Sequence, residues 1–245
     1  MGDRCKPLES VSRGFFCYTH AAMSDAPQII LASASPRRRE LLAAMGVDFI
    51  VMPANVNEDP LPNETPLETQ CRITREKARA AIKILRSETR DQAVIACDTT
   101  VLLDGEMLNK PADINEARCM LRRLRGRAHD VQSVIIIRCG DEETIDIVAS
   151  QVVMRDYSDE EIEAYIATGD PFDKAGSYAV QHPQFSPVKE IHSCPLNVIG
   201  LALCHVRARL PHLPASAPAC VTYFGKPCPA QIDDPLHCVN GQTQR

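Results

Sequence analysis

The five residues Ala93–Cys97 are all apolar. A strand of that composition is covered on both faces, so the chain needs helices above and below a sheet rather than one wet side. The surrounding segments supply them. Gln28–Ala32 is a short, mostly apolar strand, and Asp48–Pro53 is another. Between them Pro36 opens a helix with Leu41, Leu42 and Met45 on one face and Gly46 as its stop. Thr65-Pro66-Leu67-Glu68 is a capping box with proline at the first helical position. The helix it starts runs to about Arg86. Its stripe is Leu67, Cys71, Thr74, Ala78, Ala81, Ile82 and Leu85, flanked by Lys77, with Glu76 opposite.

The apolar strand is expected to end at Cys97 and run into Asp98-Thr99-Thr100. Val101–Leu103 and Glu106–Leu108 then form a hairpin about Asp104-Gly105. Asp113 with Glu116 caps a helix to about Arg125, and a strand continues to Arg138. Gly140–Glu143 turns into a strand over Thr144–Arg155. Ser158 with Glu161 caps the next helix, which ends near Gly169. A polar loop, Asp170–Gln181, a strand-like Val188–Ile191, a turn at Cys194-Pro195 and a final helix to about Arg209 complete the pattern. Strands alternating with helices, plus antiparallel hairpins, predict an α/β fold with a mixed sheet. At 245 residues the chain is long enough for one sizeable domain.

The domain is expected to span 23–210. Residues 1–22 show no periodicity and read as a dispensable leader ahead of Met23. After Leu210, repeated prolines break any long element, so 211–245 reads as a poorly ordered tail. Its cysteines and histidines lack a paired C-x-x-C, which weighs against a zinc site. Eleven scattered cysteines without framework spacing suggest free thiols and a reducing, cytoplasmic setting.

The strongest chemical signal is Leu31–Arg39, LASASPRRR. Three arginines fall in the first helical turn, where the helix dipole makes each exposed cation unfavourable by a few tenths to about 1 kcal/mol. An anion at that end removes the penalty, and free backbone N–H groups there favour one. At about 100° per residue Arg38 lies over the centre of the apolar face, Arg37 at its edge and Arg39 furthest out. Net charge is −5, there is no Trp and aromatics make up only 4%. A general nucleic-acid or anionic-membrane surface is therefore not expected, and no apolar run approaches the roughly 20 residues of a bilayer span.

Three polar groups fall where strands or helices are expected to stop: Ser33–Arg38, Asp98-Thr99 and Asp170–Gln181. Together they set Arg37, Arg38, Lys77, Lys110 and Lys174 against Glu58, Asp98 and Asp173. Cations neutralise phosphate, while carboxylates hold a hard divalent metal or activate water. That mixture suits phosphoryl chemistry better than simple anion binding. Taken singly, several members have bland readings: Lys77 as a snorkelling flank residue, Glu58 as a loop acid, and His129 as structural, since nothing pairs with it in sequence.

Ser33-Ala34-Ser35-Pro36-Arg37-Arg38, Ala96-Cys97-Asp98-Thr99, Asn109-Lys110-Pro111 and Asp170–Tyr178 with Gln181 resemble, in order, the motifs of the Maf nucleotide pyrophosphatases. The resemblance runs from about Ile29 to Leu210. It implies an elongated α/β fold shared with inosine triphosphatases, a homodimer, and hydrolysis of a nucleoside triphosphate to monophosphate and pyrophosphate with Mg²⁺ or Mn²⁺. It gives Asp98 as proton acceptor, Glu58 and Asp98 as the acids near the metal, and Ser33, Arg38, Lys77, Lys110 and Lys174 as phosphate-binding. Arg37, Thr99 and Gln181 match positions linked to base choice in the dTTP/UTP branch. Other expectations are a nucleotide-binding regulator of septum formation with little turnover, and a purine-selective inosine triphosphatase. After Gln181 the chain departs from the family's glycine-rich turn, reading His182-Pro183-Gln184-Phe185.

Overall fold

A computed structural model describes residues 28–85 and 92–214. The expected leader, and the tail beyond residue 214, lie outside them. The elements in order are β1 (Gln28–Leu31), α1 (Pro36–Ala43), β2 (Phe49–Val51), α2 (Pro66–Leu85), β3 (Gln92–Leu103), β4 (Glu106–Leu108), α3 (Ile114–Leu124), β5 (Ala128–Cys139), β6 (Glu142–Met154), α4 (Asp159–Ala167), β7 (Val188–His192), α5 (Pro195–Ile199) and α6 (Leu203–Arg209). Short 3₁₀ turns occupy Asp170–Asp173 and Ala175–Ser177.

The local signals act as read. Thr65 and Glu68 close their capping box, the Thr65 N–H donating to Glu68 Oε2 at 2.9 Å and the Glu68 N–H to Thr65 Oγ1 at 3.3 Å. Ser158 and Glu161 do the same for α4. Asp113 caps α3.

The sheet is mixed, in the order β2-β1-β3-β5-β6-β7, with β4 also on β3. β1 is parallel to β2 and β3, and the other pairs are antiparallel. β3, β5 and β6 are 12, 12 and 13 residues long, about 40 Å each at strand rise, which makes the sheet elongated. Ile30, Ala32, Val94 and Ala96 face α2 through Cys71, Ala78 and Ala81. Leu31, Ile95 and Cys97 face the other way, against Leu41 and Leu42 of α1 and Leu196, Leu203 and Val206 of α5 and α6. Leu213 is buried in that same cluster. A third cluster, around Leu121, Tyr157 and Tyr165, fills the space under α3 and α4.

Two expectations are corrected. β3 does not stop at Cys97 but continues through Asp98-Thr99-Thr100 to Leu103. β5 pairs with it residue for residue there, Asp98 opposite Val134 and Thr99 opposite Ser133, so the ladder carries the backbone past the polar residues. The single final helix is instead two, α5 and α6. They part at Gly200, whose φ of +135° side-chain-bearing residues rarely adopt.

The arrangement of β3 creates the site. β5 occupies one of its edges from Ala93 to Leu102. The other edge carries β1 only as far as Ile95, and β4 only from Val101. Between them, among the described residues, no strand lies beside Asp98 and Thr99.

Candidate active site

A cavity of about 640 Å³ opens at this gap. Ser33, Arg37, Arg38, Glu58, Lys77, Asp98, Thr99, Lys110, Lys174 and Gln181 all line it. The structure thus brings together every site residue picked out in the sequence, from elements up to about 150 positions apart. Arg39 is exposed and outside the lining, as its helical phase predicts.

The centre is Lys77. Its Nζ lies 2.7 Å from Glu58 Oε1 and 2.9 Å from Asp98 Oδ1. It is buried at 7% exposure, not a snorkelling flank residue. Asp98 shares the α2-facing side of β3 with Val94 and Ala96, which is why the two meet. Burial pulls the Glu58 carboxyl upward, but the hydrogen bond and charge of Lys77, with the charges of Lys110 and Arg38, hold it below its ordinary value.

Glu58 sits on a loop, and α2 fixes that loop through Arg72. The guanidinium donates to both Glu64 oxygens at 2.7 and 3.0 Å, to Asn57 O at 3.3 Å and to Asp59 O at 2.8 Å. The residues on either side of Glu58 are therefore pinned by one side chain. Arg72 carries no signal in the sequence beyond its place five residues before Lys77.

Arg38 is held on three sides. Nε donates to Gly200 O at 2.9 Å, one terminal nitrogen to Ser33 Oγ at 3.2 Å and the other to Thr99 Oγ1 at 3.1 Å. Gly200 O also accepts from Cys97 Sγ at 3.3 Å. Thr99 Oγ1 lies 2.8 Å from the fully buried Ser133 hydroxyl. The turn that ends α5 thus positions the arginine. α5 itself is anchored by buried Asn197, whose Nδ2 donates to Val131 O, Val148 O and Ser150 Oγ. Ser133 and Gly200 carry no local signal of this role, which lies in their distant partners.

On the opposite wall Lys174 Nζ donates to Asp170 O at 2.6 Å, Asp170 Oδ1 at 2.9 Å and Asp173 Oδ1 at 2.5 Å. All three N–H bonds are engaged. Arg37 reaches across to Asp173 at 3.3 Å. Burial raises the Asp173 carboxyl, while Lys174 and Arg37 bring it below its ordinary value. Gly176 has φ +69°, and a Cβ there would meet Val101 at 3.0–3.2 Å. The atypical turn after Gln181 is ordered locally. The Phe185 N–H donates to His182 Nδ1 at 3.0 Å, and the Phe185 ring stacks on Tyr165 at 4.4 Å.

The lining combines anchored cations, two converging carboxylates and an apolar wall of Val101, Val131, Tyr178, Val180 and Val198. Such a cavity can hold a polyanion by one part and a flat, weakly polar group by the other. Among the described residues no three metal-ligating side chains gather at one place, and no helix is long and apolar enough to cross a membrane.

Comparison with known proteins bears on this site. Residues 28–213 match the profile of the family described as Maf-like protein. The dTTP/UTP pyrophosphatase of Thermomicrobium roseum is 44% identical over 175 residues, covering 71% of this chain and 79% of that protein. The dTTP/UTP pyrophosphatase of Geobacter sp. strain M21 is 42% identical over 180 residues, covering 73% and 91%. That of Syntrophotalea carbinolica is 40% identical over 221 residues, covering 86% and 97%. The solved structure of the Staphylococcus aureus Ham1 protein covers 71% of this chain and 85% of its own, with a TM-score of 0.41 and 17% identity.

Proposed function

This chain belongs to the Maf family, and from that premise we propose that it is a nucleoside triphosphate pyrophosphatase acting on dTTP and UTP. The observation that carries the reading is the Glu58–Lys77–Asp98 convergence at the sheet gap, in a chain 40–44% identical to proteins named for that activity.

In this reading the triphosphate lies among the Ser33 hydroxyl and the cations Arg38, Lys77 and Lys110, whose charges offset its own and leave the α-phosphorus open to in-line attack. Asp98 accepts a proton from the attacking water, and Lys77, already on one Asp98 oxygen, orients the carboxylate. Breaking the α–β bond releases pyrophosphate, whose charge is stabilised by the lysines. Lys174 contributes only if a phosphate oxygen replaces one of its aspartate partners. Arg37, Thr99 and Gln181 face the base.

The donor set also fits a hard divalent cation. Glu58 and Asp98 meet on the Lys77 ammonium, at 2.7 and 2.9 Å, which brings two carboxylates to one side of the cavity. Two carboxylates completed by substrate phosphates is the usual provision for Mg²⁺ or Mn²⁺. Glu58 and Asp98 would hold the ion, which supplies further neutralisation of phosphate charge when bound. The same reading carries a cytoplasmic setting, checked by cell fractionation, and a homodimer, checked by light scattering.

The test is a panel of dTTP, UTP, CTP, GTP and ITP, each with Mg²⁺ or Mn²⁺, assayed for pyrophosphate and monophosphate. The expected result is pyrophosphate with dTTP and UTP as best substrates. Best turnover of ITP, or nucleotide binding with no turnover across the panel, overturns the reading.

A further inference from the structure

His129, near the start of β5, is buried at 4% exposure. It pairs after all, with a residue 49 positions away: its Nε2 lies 2.7 Å from Tyr178 Oη, with the rings edge to face at 83°. Its other nitrogen, Nδ1, is buried with no partner. Burial pushes the imidazole down to about 4, so the ring is neutral at pH 7. A buried unpartnered nitrogen is a standing cost that a phenylalanine of the same shape avoids. What phenylalanine lacks is a partner for the Tyr178 phenol, so the use of this histidine lies in Tyr178.

Tyr178 belongs to the apolar wall of the cavity. The next residue, Ala179, donates its N–H to Tyr165 Oη at 3.0 Å, and that phenol donates to Asp170 Oδ2 at 2.7 Å. The segment 178–181 therefore hangs from two buried rings, and Gln181 is its exposed end within the cavity lining. The charged wall is fixed separately, by α2 and β3. Releasing Tyr178 leaves Lys77, Glu58 and Asp98 with every hydrogen bond they now make.

We infer that His129 is a positioning residue which, through the Tyr178 phenol, sets the wall against which a pyrimidine base lies, and so sets base selectivity without touching substrate. This rests on the pyrophosphatase reading. Without the His129–Tyr178 hydrogen bond, whichever partner is removed, the Tyr178 ring loses the contact that fixes its place in the wall, and it shifts. The flat wall and the direction of Gln181 change together, while the reacting groups stay in place.

The experiment compares His129→Phe, His129→Gln and Tyr178→Phe with the wild type. It measures kcat and KM for UTP and ITP, UMP affinity by calorimetry in the absence of metal, and thermal melting. In His129→Phe the KM for UTP should rise about tenfold, the loss of one well-placed hydrogen bond, with kcat within about twofold. The preference for UTP over ITP should narrow by a similar factor. The Gln amide nitrogen reaches the same place, so His129→Gln should recover most of the difference. Tyr178→Phe should reproduce His129→Phe, and the double variant should add nothing further.

A well-folded His129→Phe protein with unchanged KM and selectivity overturns the inference, as does an equal fall in kcat for both His129 variants. If His129→Phe fails to fold, Tyr178→Phe carries the same test, since it deletes a single oxygen. A wild type that hydrolyses neither nucleotide sinks the pyrophosphatase reading alone. UMP affinity then decides the inference: unchanged binding by Tyr178→Phe, or no binding by the wild type, overturns it.

Discussion

Lys77 Nζ stands 2.9 Å from Asp98 Oδ1, joining α2 to the middle of β3 across the wall of the cavity. The same ammonium reaches Glu58 at 2.7 Å. One buried cation thus holds two carboxylates that would otherwise repel each other.

Asp98→Asn preserves shape and the acceptor toward Lys77 but cannot take a proton. Melting should shift by only a few degrees, and kcat should fall by about 10²–10⁴-fold, the usual worth of a positioned base. Pyrophosphate release measured beside thermal melting checks both halves. Near-normal turnover removes Asp98 from the chemistry.

Lys77→Met leaves Glu58 and Asp98 facing each other without their counter-charge. The Lys77 ammonium is nearly buried, so stability should drop by about 1–3 kcal/mol. Urea unfolding should show the loss shrinking in a Lys77→Met, Asp98→Asn double variant, because the stranded charge is then gone. Additive losses would mean that the pair is not coupled.

Glu64 gives the chain an acid-sensitive clasp. Hydrogen bonds from Arg72, with those from the Leu61 N–H and the Thr69 hydroxyl, bring its carboxyl from 4.5 down to about 2. The folded value lies below the unfolded one. Its stabilisation is therefore complete above about pH 4.5 and is lost as pH falls toward about 2. Urea titrations between pH 3 and pH 6 should show a shallower acid slope in Glu64→Gln than in the wild type. Because Arg72 also pins Asn57 and Asp59, Arg72→Met should lower kcat as well as stability.

Gly176→Ala tests the wall that carries Lys174. The backbone there is left-handed and the added methyl would meet Val101. Together these should cost about 2–3 kcal/mol, read as a lower melting temperature. Val101→Ala in the same chain should recover the steric share and not the backbone share.

Much of this protein is written locally. The capping boxes of α2 and α4 act over three residues, and Thr65, Glu68, Ser158 and Glu161 suffice to set them. The apolar run Ala93–Cys97, short and β-branched at its centre, reads as a strand covered on both faces, because a strand with one wet side would alternate with polar residues. Three arginines in one helical turn mark an anion site because the dipole opposes them, and helical phase alone leaves Arg39 outside it. The family motifs then select Glu58, Asp98 and the lysines, and these do line one cavity.

Tertiary structure decides the rest. The hairpin of β3 with β4 is legible locally, but only the assembled sheet shows that β1 reaches no further along β3 than Ile95, and the gap between β1 and β4 is what opens β3 at Asp98. Continuation of β3 past Cys97 depends on β5, whose partners lie 28 to 36 residues away. Gly200 holds Arg38 across 162 positions, and His129 meets Tyr178 across 49. Such contacts depend on how the sheet and its covering helices pack. Side chains distant in sequence meet only once that packing has formed, so the sequence names the residues of this site and the packed sheet sets their geometry.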